Sequence, residues 1–258
     1  MRSNPDADIV PLIGLRTPVP RRSEDEYNSE AMQNPKYLRG PHGTSRRIRA
    51  LHRRLDPEYG PFEPFTKVDG VTELIVTVLS QNTNDVNRDR AFKNLKREFP
   101  GWDDVLSAPA KRIESTIRVG GLARNKSLAI KEILGEIKSR FGRFTLDPIA
   151  KLPIEQAMAE LTALPGVGVK TAACVLVFSY GKPVIPVDTH VHRLSVRLGL
   201  VASKATPEQT FRVLMDITPD ELKYPFHVYL IRHGRRICKS QKPLCGECVL
   251  SDLCPSAM

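Results

Sequence analysis

Lys170 lies in the stretch LPGVGVKTA, Leu164 to Ala172, directly behind the two glycines Gly166 and Gly168. A primary amine is a nucleophile once it has shed its proton, and a lysine in the first turn of a helix feels the positive end of the macrodipole, which poises it for that role. The glycines permit φ > 0 and close approach of another backbone, so the stretch can present bare N–H groups to an anion. A nucleotide P-loop is excluded, because Val169 separates Gly168 from Lys170 and the preceding IEQAMAELTAL, Ile154 to Leu164, reads as helix. What remains is helix, Pro-Gly hairpin, helix, a unit able to grip a sugar-phosphate backbone. Further on, Asp188 in VIPVDTHVHRLSVRLG reads as the N-cap of a helix ending at Gly199. Its carboxylate could also take a proton or stabilise positive charge developing on a sugar ring. The helix after Lys170 is about 11 residues, or roughly 17 Å. The extended return from Gly181 to Asp188 can cover roughly 23 Å, so the chain can bring Asp188 back beside Lys170. On the residues alone, two roles stay open for Lys170: phosphate contact and covalent attack.

Cys238, Cys245, Cys248 and Cys254 form a second group, with the spacing C-x6-C-x2-C-x5-C. Four thiolates so close in sequence can wrap one inorganic centre, and structural zinc and an iron–sulfur cluster both suit them. Two disulfides would suit a small secreted domain instead, which this long basic chain is not. Cys174, the fifth cysteine, falls on an apolar helix and reads as packing. Arg235, Arg236, Lys239 and Lys242 surround the first of the four ligands. They can face phosphates, or merely offset the negative charge of the thiolates.

The elements that must position these groups are helical. In VTELIVTVLSQ, Val71, Leu74, Ile75, Val78 and Leu79 make one apolar stripe, and Ile130, Ile133, Leu134, Ile137 and Phe141 make another before Gly142. VKTAACVLVFSY, Val169 to Tyr180, continues until Gly181 and Pro183 stop it, while Thr206, Pro207 and Gln209 supply a capping box with Pro at the first helical position. No strand-like alternation persists, so the fold class is all-α. The chain's 258 residues carry a formal net charge of +10, which points to a polyanionic partner, nucleic acid first. No apolar run approaches the roughly 18 residues of a spanning helix, so no membrane partner is expected. Before about Pro41 the chain mixes prolines with both charge signs and shows no sustained periodicity, which reads as a disordered extension. It lacks the apolar core of a secretory signal, and the acids Asp6, Asp8, Glu24, Asp25 and Glu26 are unlike a mitochondrial leader. A cytoplasmic site, on the nucleoid if the source is bacterial, is expected.

Taken in order, LPGVGVKTA, VDTHVHR, HGRRIC and the cysteine spacing resemble the endonuclease III family of helix-hairpin-helix base-excision DNA glycosylases, over roughly Ile48 to Cys254. The resemblance implies two helical domains flanking a DNA cleft. A six-helix barrel would span 69–183, and 45–68 with 184–258 would form a [4Fe-4S] cluster domain, after an extension over 1–44. It implies a [4Fe-4S] cluster in place of zinc, held by Cys238, Cys245, Cys248 and Cys254. It places the family's active lysine on Lys170 and its aspartate on Asp188. The implied reaction flips a damaged base out of duplex DNA, attacks C1′ with Lys170, and nicks the strand 3′ of the abasic site by β-elimination. Relatives specialised for adenine opposite oxidised guanine lack this lysine, so oxidised pyrimidines and abasic sites are the expected substrates, with the protein acting as a monomer. In LSQNTND the gap left by the flipped nucleotide falls to Asn82 or Gln81, where the family usually has glutamine at the Asn82 position. In GGLARNKS the intercalating leucine falls on Leu122, and Ala123 replaces a family aromatic. His190 is expected near the pocket in a binding role, and Gly166, Gly168, Lys239 and Lys242 against the DNA backbone. The alternatives are a mismatch or adenine-type glycosylase, or a DNA-binding module without catalysis.

Overall fold

The computed structural model describes residues 41–60 and 68–257, with side chains from residue 45 onward. Most of the expected N-terminal extension, residues 1–40, lies outside the described residues, and the first helix already begins at Pro41. Twelve α-helices follow one another among the described residues, with no β-strand between them. In chain order they are α1 (Pro41–Tyr59), α2 (Gly70–Leu79), α3 (Asp85–Glu98), α4 (Trp102–Ser107), α5 (Ala110–Thr116) and α6 (Ala123–Phe141). Then come α7 (Asp147–Ala150), α8 (Ile154–Thr162), α9 (Val169–Tyr180), α10 (Thr189–Arg197), α11 (Pro207–Ile217) and α12 (Asp220–Arg236). The all-α expectation holds.

Local chemistry sets the boundaries. Asp69 caps α2 by accepting from the amides of Val71 and Thr72 at 3.1 and 2.9 Å. α6 ends where Gly142 turns left-handed at φ 67°, as the glycine after Phe141 foretells. Thr206 and Gln209 close the capping box in front of α11, with bonds of 3.2 and 2.8 Å. Asp188 caps α10, its Oδ1 accepting from the Val191 amide at 2.8 Å, and that helix stops at Arg197, a little short of Gly199.

Two hydrophobic clusters hold the helices. The first gathers Leu74, Ile75, Val78 and Leu79 of α2 with Ile130, Ile133, Leu134 and Ile137 of α6 and the apolar face of α9. The second gathers Ile48, Leu51 and Leu55 of α1 with Val191 and Leu194 of α10 and Phe226, Tyr229 and Leu230 of α12. The chain passes from one to the other between Val184 and Ile185, and Phe211 and Met215 pack against both. Close helix contact needs a missing side chain at two places. A Cβ on Gly70 would strike the Tyr180 hydroxyl, so glycine lets α2 lie on α9, and a Cβ on Gly234 would meet His190 at 3.0 Å where α12 crosses α10.

Candidate active site and cysteine cavity

The hairpin between α8 and α9 is built as the sequence suggests, with one refinement. Gly166 takes the left-handed conformation at φ 69°, where a β-carbon is strained. Gly168 does not: its φ is −90°, and it serves as N-cap of α9. Neither backbone nor packing demands glycine there, for a Cβ would meet nothing within 4 Å, but a glycine supplies no side-chain cap to the first amides of α9. Those amides are therefore left to an external acceptor.

Lys170 stands half-buried in that first turn, and Asp188 half-buried at the start of α10. Both face the same two buried groups, His227 on α12 and Cys174 one turn further along α9. The fold thus brings the amine and the carboxylate to one place, although they belong to helices from different hydrophobic clusters. His227 is 2% exposed, its Nδ1 lies 2.8 Å from the Pro186 carbonyl oxygen, and burial pushes it down to about 4. It is neutral at neutral pH and adds no competing cation beside Lys170. Burial pushes the Cys174 thiol up to about 11, so it stays protonated, and the sequence reading of Cys174 as packing omits its position under the amine.

His190, expected near the pocket, is half-buried in the first turn of α10 with its Nδ1 3.1 Å from Nη2 of Arg193, packed against Gly234. His227 is a further histidine, and it faces both Lys170 and Asp188. Periodicity alone could not have singled it out, because it reads as an interior position of a long helix.

The segments expected to enter DNA lie on the exposed surface. Gln81 and Asn82 are both exposed past the end of α2, and Asn82 is left-handed at φ 51°. Leu122 is 52% exposed and left-handed at φ 48°, a conformation in which a leucine is strained. It is therefore no core leucine. One buried side chain that sequence reading missed joins the two segments. Lys126 is 3% exposed, and its Nζ donates to the carbonyl oxygens of Leu79 at 2.7 Å and Gly120 at 2.8 Å. It satisfies backbone acceptors at the end of α2 and in the short 3-10 turn Arg118–Gly120 at the same time. Lys126→Met is expected to strand both acceptors and lower stability by about 1–3 kcal/mol, read as a lower urea midpoint with an unchanged slope.

Arg235, read as facing phosphate or offsetting the thiolates, is exposed and donates through Nη1 to Asp85 Oδ2 at 2.7 Å, joining α12 to α3. Arg236 lies 5.5 Å from the centre of the Tyr59 ring. Lys239 and Lys242 are exposed on the cysteine loop, Lys242 with φ 50°. Two arginines of α10 brace that loop. Nη2 of Arg193 donates to the Cys238 carbonyl at 2.9 Å, and Arg197 donates to the carbonyls of Lys239 and Ser240 at 2.7 and 2.9 Å. Arg197 Nη1 also lies 3.3 Å from Cys238 Sγ.

The four cysteines line one cavity together with Arg197, Pro243 and Leu244, and none of them is in a disulfide. Cys248 faces the other three, and Cys254 faces Cys238 and Cys245. Among the described residues no three His, Cys, Asp or Glu side chains stand close enough to hold a single metal ion. Four cysteine side chains lining one cavity are the donor set of an iron–sulfur cluster. No helix among the described residues is long and apolar enough to cross a membrane.

Known proteins match this arrangement. Residues 75–220 match the HhH-GPD superfamily base excision DNA repair protein, and residues 238–254 match the iron–sulfur binding domain of endonuclease III. Endonuclease III of Thermotoga maritima is 38% identical over 73% of this chain and 84% of its own length. A protein of Arabidopsis thaliana named as a putative DNA glycosylase is 42% identical over 68% of this chain, which spans 58% of that plant protein. A solved non-covalent endonuclease III–DNA complex superposes with a TM-score of 0.72 at 30% identity, covering 83% of this chain and 96% of the other. A thermostable thymine-DNA glycosylase superposes with a TM-score of 0.70 at 20% identity, which shows the shared fold. The chain belongs to the endonuclease III family of HhH-GPD base excision repair enzymes, DNA glycosylases and AP lyases that carry a [4Fe-4S] cluster.

Proposed function

We propose that this enzyme removes oxidised pyrimidines from duplex DNA and nicks the strand 3′ of the resulting abasic site, with Lys170 as nucleophile and Asp188 as its acidic partner. The observation that carries the reading is the meeting of Lys170 and Asp188 over His227 and Cys174, beside a glycine hairpin whose amides are free for phosphate. Neutral Nζ of Lys170 attacks C1′, the glycosidic bond breaks, and its electron pair leaves with the base. Ring opening gives a protonated Schiff base on Lys170. Loss of a C2′ proton then breaks the bond from C3′ to oxygen and releases the 3′ fragment with a 5′-phosphate. Asp188, held by the Val191 amide, offers negative charge to the cation that develops on the sugar. A relative solved as a trapped endonuclease III–DNA covalent intermediate supports the covalent step.

In this reading Leu122 wedges into the duplex while Asn82, with Gln81 beside it, fills the gap left by the extruded nucleotide. Their exposure and their common anchor, Lys126, support it. The two hydrophobic clusters support a division into a barrel over 69–183 and a cluster domain over 45–68 and 184–258, acting as a monomer in the compartment that holds the genome. Gly166 and Gly168 supply amides to one phosphate run, and Lys239 and Lys242 supply cations to another. Reversing both lysines to glutamate is expected to lower the slope of log Kd against log salt by roughly one counterion per lost contact, measured by fluorescence anisotropy on an abasic-site duplex.

The test is borohydride trapping across a panel of duplexes holding thymine glycol, an abasic site, 8-oxoguanine paired with adenine, or a G·T mismatch. The expected result is a covalent complex with the first two and none with the last two. A protein that binds these duplexes and is trapped by none of them would refute the lyase reading.

A further inference from the structure

The reaction proposed above requires Lys170 to lose a proton before it attacks, and three carboxylates stand near enough to be considered. Asp188 is engaged as the cap of α10, its Oδ1 accepting from the Val191 amide. Asp85 faces Lys170 from α3, but both of its oxygens are bound to guanidinium groups, Oδ2 to Arg235 at 2.7 Å and Oδ1 to Arg88 at 3.0 Å. Burial alone would raise its proton affinity. The Arg235 hydrogen bond and the charges of Arg235, Arg88 and Lys170 outweigh that and hold Asp85 below the usual carboxylate range.

Glu73 differs from both. It lies in the first turn of α2, a helix otherwise made of glycine, apolar residues and threonines, which packs against α9. Its carboxylate is half-buried, and Oε1 accepts a hydrogen bond from Thr77 Oγ1 at 2.9 Å, one turn toward the end of α2. Thr77 itself is buried, which fixes that bond. The groups that face Glu73 are Thr77 on its own helix, Arg88 on α3, and Lys170 and Cys174 on α9. No ion pair within 4 Å holds it among the described residues, Lys170 and Arg88 included, so a proton leaving Lys170 would reach it by way of one water. Burial raises its proton affinity above the ordinary carboxylate range, and the Thr77 hydrogen bond and the charges of Lys170 and Arg88 only partly oppose this.

We propose that Glu73 is a positioning residue that acts through Lys170, accepting the proton the amine must shed before it attacks C1′. One N–H bond of the ammonium breaks with its electron pair kept on nitrogen, and an O–H bond forms on Glu73. The charged pair becomes a neutral amine and a neutral acid. A half-buried site favours that exchange, because it removes two charges from a poorly solvated place. Asp188 is thereby left ionised to face the sugar cation, so the two carboxylates divide the work, one on each side of the amine. The inference rests on Lys170 being the nucleophile.

The experiment measures the single-turnover rate of borohydride trapping on an abasic-site duplex at saturating protein, across pH, for wild type, Glu73→Gln, Glu73→Ala, Thr77→Val and Lys170→Ala. DNA affinity and the melting temperature of each protein are measured alongside. Glu73→Gln is expected to trap about 100-fold more slowly at neutral pH with wild-type DNA affinity and melting temperature, the deficit shrinking as rising hydroxide takes the proton instead. Added formate is expected to restore part of the rate to Glu73→Ala and none to Lys170→Ala. Thr77→Val, which keeps the carboxylate but frees it, is expected to fall between wild type and Glu73→Gln. If wild type traps while Glu73→Gln keeps pace with it, or lags by one constant factor at every pH without formate rescue of the alanine variant, the inference fails alone. If wild type forms no trapped complex, the lyase reading fails and takes the inference with it.

Discussion

Lys170→Ala is expected to abolish the borohydride-trapped complex entirely and to slow base release by about 10⁴-fold, while leaving DNA affinity within a few-fold of wild type. The expectation follows from what surrounds the side chain. Lys170 is the amine that faces both His227 and Cys174, with His227 neutral at working pH and the Cys174 thiol held protonated by burial. Neither neighbour is an amine that could take over attack on C1′. DNA affinity, by contrast, draws on hairpin amides and exposed cations that the substitution does not touch. Lys170→Arg separates charge from nucleophilicity, since guanidinium stays protonated and cannot form the Schiff base. It should bind and fail to trap. Quantitative trapping by either variant would show that the covalent bond lies elsewhere.

Cys245→Ser is expected to remove the visible absorbance and inorganic sulfide of the holoprotein and to lower its melting temperature by roughly 10 °C or more, on the scale of 2–4 °C per kcal/mol for a domain of this size. From Cys238 to Cys254 the chain forms only two 3-10 turns, and Leu250 is the one fully buried hydrophobe within it. Such a segment cannot hold itself by apolar burial, so ligation by its thiolates must supply most of its order. The damage should also spread. Arg193 and Arg197 brace the loop from α10, and Asp188 caps the same helix, so a loosened loop removes acceptors that orient the helix carrying the carboxylate. Trapping should slow in Cys245→Ser beyond the fraction of unfolded protein. A colourless wild-type protein with stoichiometric zinc after anaerobic purification would overturn the cluster assignment.

How far the sequence reveals this arrangement depends on how local each signal is. The apolar stripes of α2 and α6, the capping box at Thr206 and the glycine stop at Gly142 are spelled out within a few residues, and the structure follows them. Gly166 and Gly168 look alike in sequence but do different things. One takes a left-handed backbone and the other an ordinary one with room for a side chain, a distinction that φ decides and composition does not. Lys126, Glu73 and His227 were out of reach because each gains its meaning from a partner far along the chain. Lys126 looks like any surface lysine until the Leu79 carbonyl, 47 residues away, closes on it. Glu73 left a faint trace, a lone carboxylate amid Val, Leu and Ile with Thr77 one turn later, and that pattern is worth seeking wherever an apolar helix carries one acid. Arg235 is exposed as its neighbourhood in sequence suggests, yet its partner Asp85, 150 residues away, is visible only in the fold.

The passage of the chain from one hydrophobic cluster to the other at Val184 and Ile185 has a mechanical meaning. Amine and carboxylate are carried by helices of different clusters, so their juxtaposition hangs on the packing that Phe211 and Met215 share with both.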